Sequence, residues 1–194
     1  MYELGQREID AVAKVIREGQ LFRYRGGEGG WCDKFEANFA ETVGSKHALV
    51  VSSGTGALIC GMVAAGVEPG AEVIVPAYTF MATPLAVLAV GAVPVIADVD
   101  ESLMLCPKSV AKNITSRTRA IMPVHMIGRA CDMGAIMKLA RKHKLLVIED
   151  ACQAVGGTYK GKGLGSIGHA GGFSFNQFKI IGAGEGGAMV TNDL

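Results

Sequence analysis

The feature that most limits the possible folds is a regular alternation of short apolar runs with helix-patterned stretches between Ala48 and Asp150. ALVV (48–51), EVIVP (72–76), VPVIADV (93–99), RAIMPV (119–124) and LLVIED (145–150) each read as a strand, with ALVV expected to be buried. Runs this short, rich in Val and Ile and without polar alternation, suit strands covered on both faces. Residues 54–65, about 79–90 and 107–113 read as helices. A further helix carries Met133, Ile136, Met137 and Ala140 on one face, with Asp132 placed to cap its start. Such alternation requires right-handed crossovers, and so an α/β fold with a mostly parallel central sheet and helices on both faces. Beyond Asp150 the rhythm changes. GGFSF (171–175) and GGAMVT (186–191) are strand-like but too close for a crossover helix, which predicts an antiparallel element near the C-terminus.

Ahead of the alternation, Ile9, Val12, Ala13 and Ile16 repeat at helical spacing, and Phe35, Phe39 and Val43 give a second stripe. RYRGGEGGW (23–31) has too many glycines for a helix or strand and reads as a mobile loop. The chain therefore divides into an N-terminal helical segment with a Gly-rich loop, residues 1–46, and a large α/β domain, residues 47–194. Because the sequence stops directly after a strand, it is expected to belong to a longer protein.

Composition excludes several classes of function. Lys and Arg total 19 against 18 Asp and Glu, with no basic cluster, so a nucleic-acid or membrane-surface partner is not expected. The five cysteines are scattered without a CxxC pair, which fits a reducing compartment better than a disulfide framework. The four histidines are equally dispersed, so no metal site is expected. The start, MYELGQREID, has no apolar run behind a basic segment, and no stretch reads as a membrane span; a cytoplasmic location is expected.

In open α/β sheets ligands bind beyond the carboxyl ends of the strands, and polar groups fall at three such ends. Ser53, Gly54 and Thr55 open a helix, whose free N–H groups suit a phosphate, although an ordinary cap reads the same way. Phe80 follows EVIVP and could lie on a heteroaromatic ring or pack in the core. Glu149 and Asp150 end a strand on which neighbouring side chains alternate, so one of them faces the site and needs a cationic partner. FSFNQFK then ends in Lys179, whose apolar neighbours Phe178, Ile180 and Ile181 are expected to hold it close to the core. An acid at a strand mouth and a lysine on a later loop can together hold pyridoxal 5'-phosphate, the acid pairing with its ring nitrogen and the lysine forming a Schiff base.

The blocks VSSGTGAL, EVIVPAYTFMAT, GAVPVIADVD, AIMPVHMIG, VIEDACQAVGGTYKGKGLGSIG, FSFNQFK and GEGGAMVT, in this order, resemble the DegT/StrS-type aminotransferases over nearly the whole chain. The resemblance implies the large domain of a fold-type-I pyridoxal-phosphate transferase. It implies an enzyme that moves an amino group from glutamate or glutamine to a nucleotide-linked keto-sugar or a keto-cyclitol. By position, Lys179 would form the Schiff base and Asp150 would pair with the ring nitrogen. Gln153 would lie beside the ring hydroxyl and Phe80 on the ring face, while Gly54, Thr55 and Ser174 would hold the phosphate. The family's sites usually form between two subunits, which implies a homodimer.

Two positions depart from the family pattern: Val155 stands where many members carry histidine, and Ala71 replaces an acid before EVI. The first bears on substrate choice. The family also continues well past this length into a small C-terminal domain. Two other readings stay open. Some relatives are dehydratases with histidine in place of the lysine, against which Lys179 argues. A non-catalytic regulator would be expected to have lost Asp150 or Lys179, and both are present. A nicotinamide site is disfavoured, because SSGTGAL lacks the GxGxxG spacing.

Overall fold

The computed structural model of the 194-residue chain describes residues 4–19, 21–23 and 29–193. Most of the Gly-rich segment read as a loop lies outside the described residues. Helices α1 (Gln6–Arg17) and α2 (Trp31–Val43) precede strand β1 (His47–Val51). The alternation then gives α3 (Gly54–Ala64), β2 (Glu72–Pro76), α4 (Ala82–Ala89), β3 (Val93–Ala97), α5 (Pro107–Asn113), β4 (Thr118–Ile121), α6 (Met133–His143) and β5 (Leu146–Asp150). A hairpin, β6 (Thr158–Tyr159) and β7 (Lys162–Gly163), leads to β8 (Ala170–Ser174) and β9 (Gly187–Thr191). The sequence reading passed over that hairpin. Its two-residue turn, Lys160-Gly161, has positive φ at both positions, the conformation tight hairpins favour.

Seven strands form one sheet in the order β1-β9-β8-β5-β4-β2-β3. The pairs from β3 across to β8 are parallel, and β9 runs antiparallel to both β8 and β1. Only β9 is therefore reversed, and the carboxyl ends of β1, β2, β5 and β8 reach the same edge of the sheet. Side-chain alternation sorts the core. Val73, Val75, Ala120 and Ile148 pack with Leu58 and Met62 of α3 and Ala86 and Val87 of α4. Ile74, Ile121 and Val147 face the other way, against Val110 of α5 and Met133, Ile136 and Ala140 of α6. On that second face Phe39 and Val43 of α2 pack with Phe173 and Val190. Helices thus cover both faces, as expected for strands with few polar residues.

Two expectations need correction. β1 is an edge strand, half-buried with Leu49 exposed, because among the described residues no strand pairs with its outer side. α4 begins at Ala82 rather than near Thr79, since Thr79 and Phe80 stay in the turn leaving β2. The α1 stripe forms as read, and Ile9, Val12 and Ile16 on it are exposed.

Candidate active site

One cavity of about 420 Å³ opens at the shared carboxyl edge of the strands. Gly54, Thr55, Phe80, Asp150, Gln153, Ser174 and Lys179 all line it, so the structure brings every site residue read from the sequence to one place. That volume falls within the range of small-molecule and cofactor pockets.

One end of the cavity is built by the start of α3. Ser53 caps the helix, its hydroxyl accepting the Gly56 N–H at 3.0 Å. The N–H groups of Gly54 and Thr55, in the first turn, have no intrahelical acceptor. Gly54 is required by close approach: a Cβ there would lie 2.7 Å from the Ser174 Cβ and 2.8 Å from the Cys152 Sγ. The missing side chain lets the helix start sit directly against the end of β8. The Ser174 hydroxyl thereby joins the two free N–H groups.

The acidic end is the close of β5. Glu149 and Asp150 do alternate, but neither is a surface acid. Asp150 is 6% exposed and faces the cavity. Its Oδ2 accepts the Thr83 hydroxyl at 2.7 Å and its Oδ1 the Cys152 N–H at 3.2 Å. Both donors are neutral, and none of the described ion pairs includes Asp150. Glu149, on the opposite face, is fully buried and accepts four hydrogen bonds. They come from the N–H groups of Gly165 (2.9 Å), Ile167 (2.7 Å) and Gly168 (2.6 Å), and from His125 Nε2 at 2.9 Å. Burial opposes a charge on His125 while Cys131 and Glu149 favour one, so the hydrogen-bond geometry at the ring decides its state. The Cys131 N–H settles the tautomer. It donates to Nδ1 at 3.2 Å, which requires a lone pair there, so we assign the neutral ring with its proton on Nε2.

Phe80 is 62% exposed and lines the cavity, which excludes the core reading for it. Its ring centroid lies 5.9 Å from the Lys179 Nζ. Gln153 is oriented by a neighbour. Its Oε1 accepts the Ile127 N–H at 3.1 Å and its Nε2 donates to the Met126 Sδ at 3.6 Å, leaving the second Nε2 hydrogen for a ligand. Ile127 holds a left-handed backbone, φ 53°, that a β-branched residue seldom adopts.

Lys179 sits on the connection from β8 to β9. The expectation that its apolar neighbours hold it near the core is not met: Phe178 is 85% exposed, and Ile180 and Ile181 also point outward. The loop is fixed by Asn176 instead. Its carbonyl accepts the Lys179 N–H at 2.8 Å and its Oδ1 the Phe178 N–H at 3.1 Å, while its Nδ2 donates to Glu185 Oε1 at 2.7 Å. Burial and then the Asp150 charge push the Cys152 thiol well above its ordinary pKa, with Lys179 opposing them.

Sequence reasoning missed Thr83, Asn176 and the Glu149–His125 contact. The spacing of Thr79 and Thr83, four residues apart beside Pro84, was the available signal for the first. The others depend on contacts that only the fold creates. Among the described residues no group of three or more His, Cys, Asp or Glu side chains is placed to hold a metal ion, and no helix is long and apolar enough to cross a membrane.

GDP-perosamine synthase of Caulobacter vibrioides is 50% identical over 161 residues, 82% of this chain and 43% of that protein. The 3-amino-5-hydroxybenzoate synthase of Amycolatopsis mediterranei is 41% identical over 96% of this chain and 47% of its own length. The X-ray structure of the aminotransferase from Psychrobacter cryohalolentis superposes with a TM-score of 0.94 at 46% identity, covering 98% of this chain and 48% of that one. The chain thus spans about half the length of the relatives it matches. A sequence profile matches residues 3–194, and the chain belongs to the DegT/DnrJ/EryC1/StrS aminotransferase family.

Proposed function

We propose that the protein binds pyridoxal 5'-phosphate in this cavity and transfers an amino group from glutamate or glutamine to a nucleotide-linked keto-sugar or a keto-cyclitol. One observation carries the reading: a carboxylate, Asp150, is held at the cavity floor by neutral donors alone, in a pocket that Lys179 also lines. A buried carboxylate without a cation is costly unless a ligand supplies one, and a protonated ring nitrogen does so. The other donors fit the same group. The first turn of α3 and the Ser174 hydroxyl suit a phosphate, Phe80 suits a ring face, and the Gln153 amide, presenting its NH₂, suits a ring oxygen.

When bound, this cofactor acts as an electron sink that stabilises negative charge at the carbon losing a proton. The protein's own residues then have separable tasks. Asp150 keeps the ring nitrogen protonated. The α3 N-terminus and Ser174 anchor the phosphate, and Phe80 fixes the ring plane. Lys179 would hold the cofactor through its Nζ, and the same amine would supply the base that moves a proton at the substrate carbon. The substrate class is supported by the names of the relatives, which make an amino sugar and an amino-hydroxybenzoate.

The same proposal includes a cofactor-binding large domain over residues 47–194 preceded by the segment 1–46, a homodimer, and a cytoplasmic location. Exposed Tyr78, Phe80, Met81 and Phe178 around the cavity support a second subunit covering it. The test is spectroscopic. Full-length protein incubated with pyridoxal phosphate is expected to develop the long-wavelength absorbance of a lysine-linked cofactor, and Lys179→Ala to lack it. A folded wild-type protein without that band overturns the proposal.

A further inference from the structure

Asp150 is held by a chain of two hydroxyls that its role alone does not explain. Thr83 is completely buried in the first turn of α4, and its hydroxyl donates to Asp150 Oδ2 at 2.7 Å. With that proton committed, Thr83 Oγ1 can only accept, so the Thr79 hydroxyl, 2.6 Å away, is the donor in the next link, the Phe80 carbonyl at 3.4 Å being the more distant acceptor for it. The chain is thus directed, Thr79 to Thr83 to Asp150. It starts on the residue next to Phe80, so one turn of chain carries both a cavity-lining aromatic ring and the support for the carboxylate.

We propose that Thr83, backed by Thr79, is a positioning residue that keeps Asp150 ionised and aimed into the cavity, and so fixes the proton on the ring nitrogen of a bound pyridine cofactor. The physical basis is the balance between two states of one hydrogen bond. In the charged state the proton sits on the ring nitrogen and Asp150 is a carboxylate. In the neutral state the proton has moved to Asp150. A donated hydroxyl stabilises only the carboxylate, and in a buried setting such a charge-assisted bond is among the stronger ones. Thr79 polarises that donor further. Without the hydroxyl, Asp150 becomes more basic and the proton shifts away from the ring. Packing alone does not call for a hydroxyl here, since valine would fill the same volume.

The inference rests on the reading that pyridoxal phosphate occupies this cavity, and the experiment separates the two. Wild type, Thr83→Val and Thr83→Ser are titrated with pyridoxal phosphate labelled with ¹⁵N in the ring. Dissociation constants are read by absorbance and the ring protonation by the ¹⁵N resonance. Thr83→Val is expected to weaken binding roughly tenfold and to move the resonance towards the unprotonated position. Thr83→Ser is expected to restore both. Wild type that never binds the cofactor sinks the functional reading. Wild type that binds, with Thr83→Val indistinguishable from it in both measurements, sinks the role of Thr83 and leaves that reading standing. Should Thr83→Val not fold, Thr79→Val cuts only the outer link; a smaller shift in the same direction is expected, and an unmoved resonance overturns the chain.

Discussion

Glu149 and Asp150 are adjacent carboxylates on one strand, yet they serve two unlike regions. Beneath the sheet, Glu149 is saturated by three backbone N–H groups and a histidine, and it binds the 165–168 loop to β5. At the cavity floor, Asp150 has two neutral partners and remaining lone pairs that face open space. Composition and burial barely distinguish the two. What separates them is whether the protein supplies all the partners a buried charge requires. A carboxylate satisfied from within is scaffold; one left short is where a cation from outside belongs.

The contrast can be broken by exchanging the expected losses. Asp150→Ala should lower the rate at which glutamate converts bound pyridoxal phosphate to its amine form, by on the order of 10³-fold. Its midpoint in urea should shift little, because removing a buried charge without a cation relieves a cost. Glu149→Ala should do the reverse. It leaves three N–H groups and the His125 Nε2 proton without an acceptor, for a loss of about 3–5 kcal/mol in urea unfolding. A Glu149→Ala protein as stable as wild type, or an Asp150→Ala protein that unfolds, would overturn the assignment. Gly54→Ala comes next. The added methyl meets Ser174 and Cys152, so α3 must back away from β8. We expect about 1–3 kcal/mol of destabilisation together with a weaker cofactor dissociation constant. A loss of stability with unchanged affinity would separate the helix start from phosphate binding.

The same contrast explains what the sequence could reveal. The strand–helix alternation located the sheet and the edge at which Gly54, Asp150 and Ser174 meet, because periodicity and strand ends are local properties. It also required Glu149 and Asp150 to point apart. It could not say which of them faced the cavity, since that depends on His125, 24 residues away, and on the loop at Gly165–Gly168. Thr83 is separated from Asp150 by 67 residues, so its spacing from Thr79 could mark a pair of hydroxyls but not the carboxylate they serve. β1 looked like the other strands, but its edge position follows from pairing with the distant β9. Phe178, Ile180 and Ile181 misled because apolar character was taken for burial. They lie on a loop whose shape is set by Asn176.

The smallest expected effect probes the field of Asp150 without a cofactor. Burial and the Asp150 carboxylate both disfavour the Cys152 thiolate, whereas Lys179 favours it. Alkylation requires the thiolate, so a raised thiol pKa means slow reaction at pH 8 and a rate that climbs with pH. Asp150→Asn removes the negative charge at nearly constant volume, lowers the thiol pKa and should speed alkylation of Cys152 by iodoacetamide a few-fold at pH 8. Lys179→Met removes the opposing charge and should slow it. Glu149→Gln, on the far face and shielded by its own donors, should leave the rate near that of wild type if the fold holds. Peptide mapping by mass spectrometry separates Cys152 from the other four cysteines. Equal acceleration by Asp150→Asn and Glu149→Gln would mean that both carboxylates act on the cavity, and the division between scaffold and site would fail.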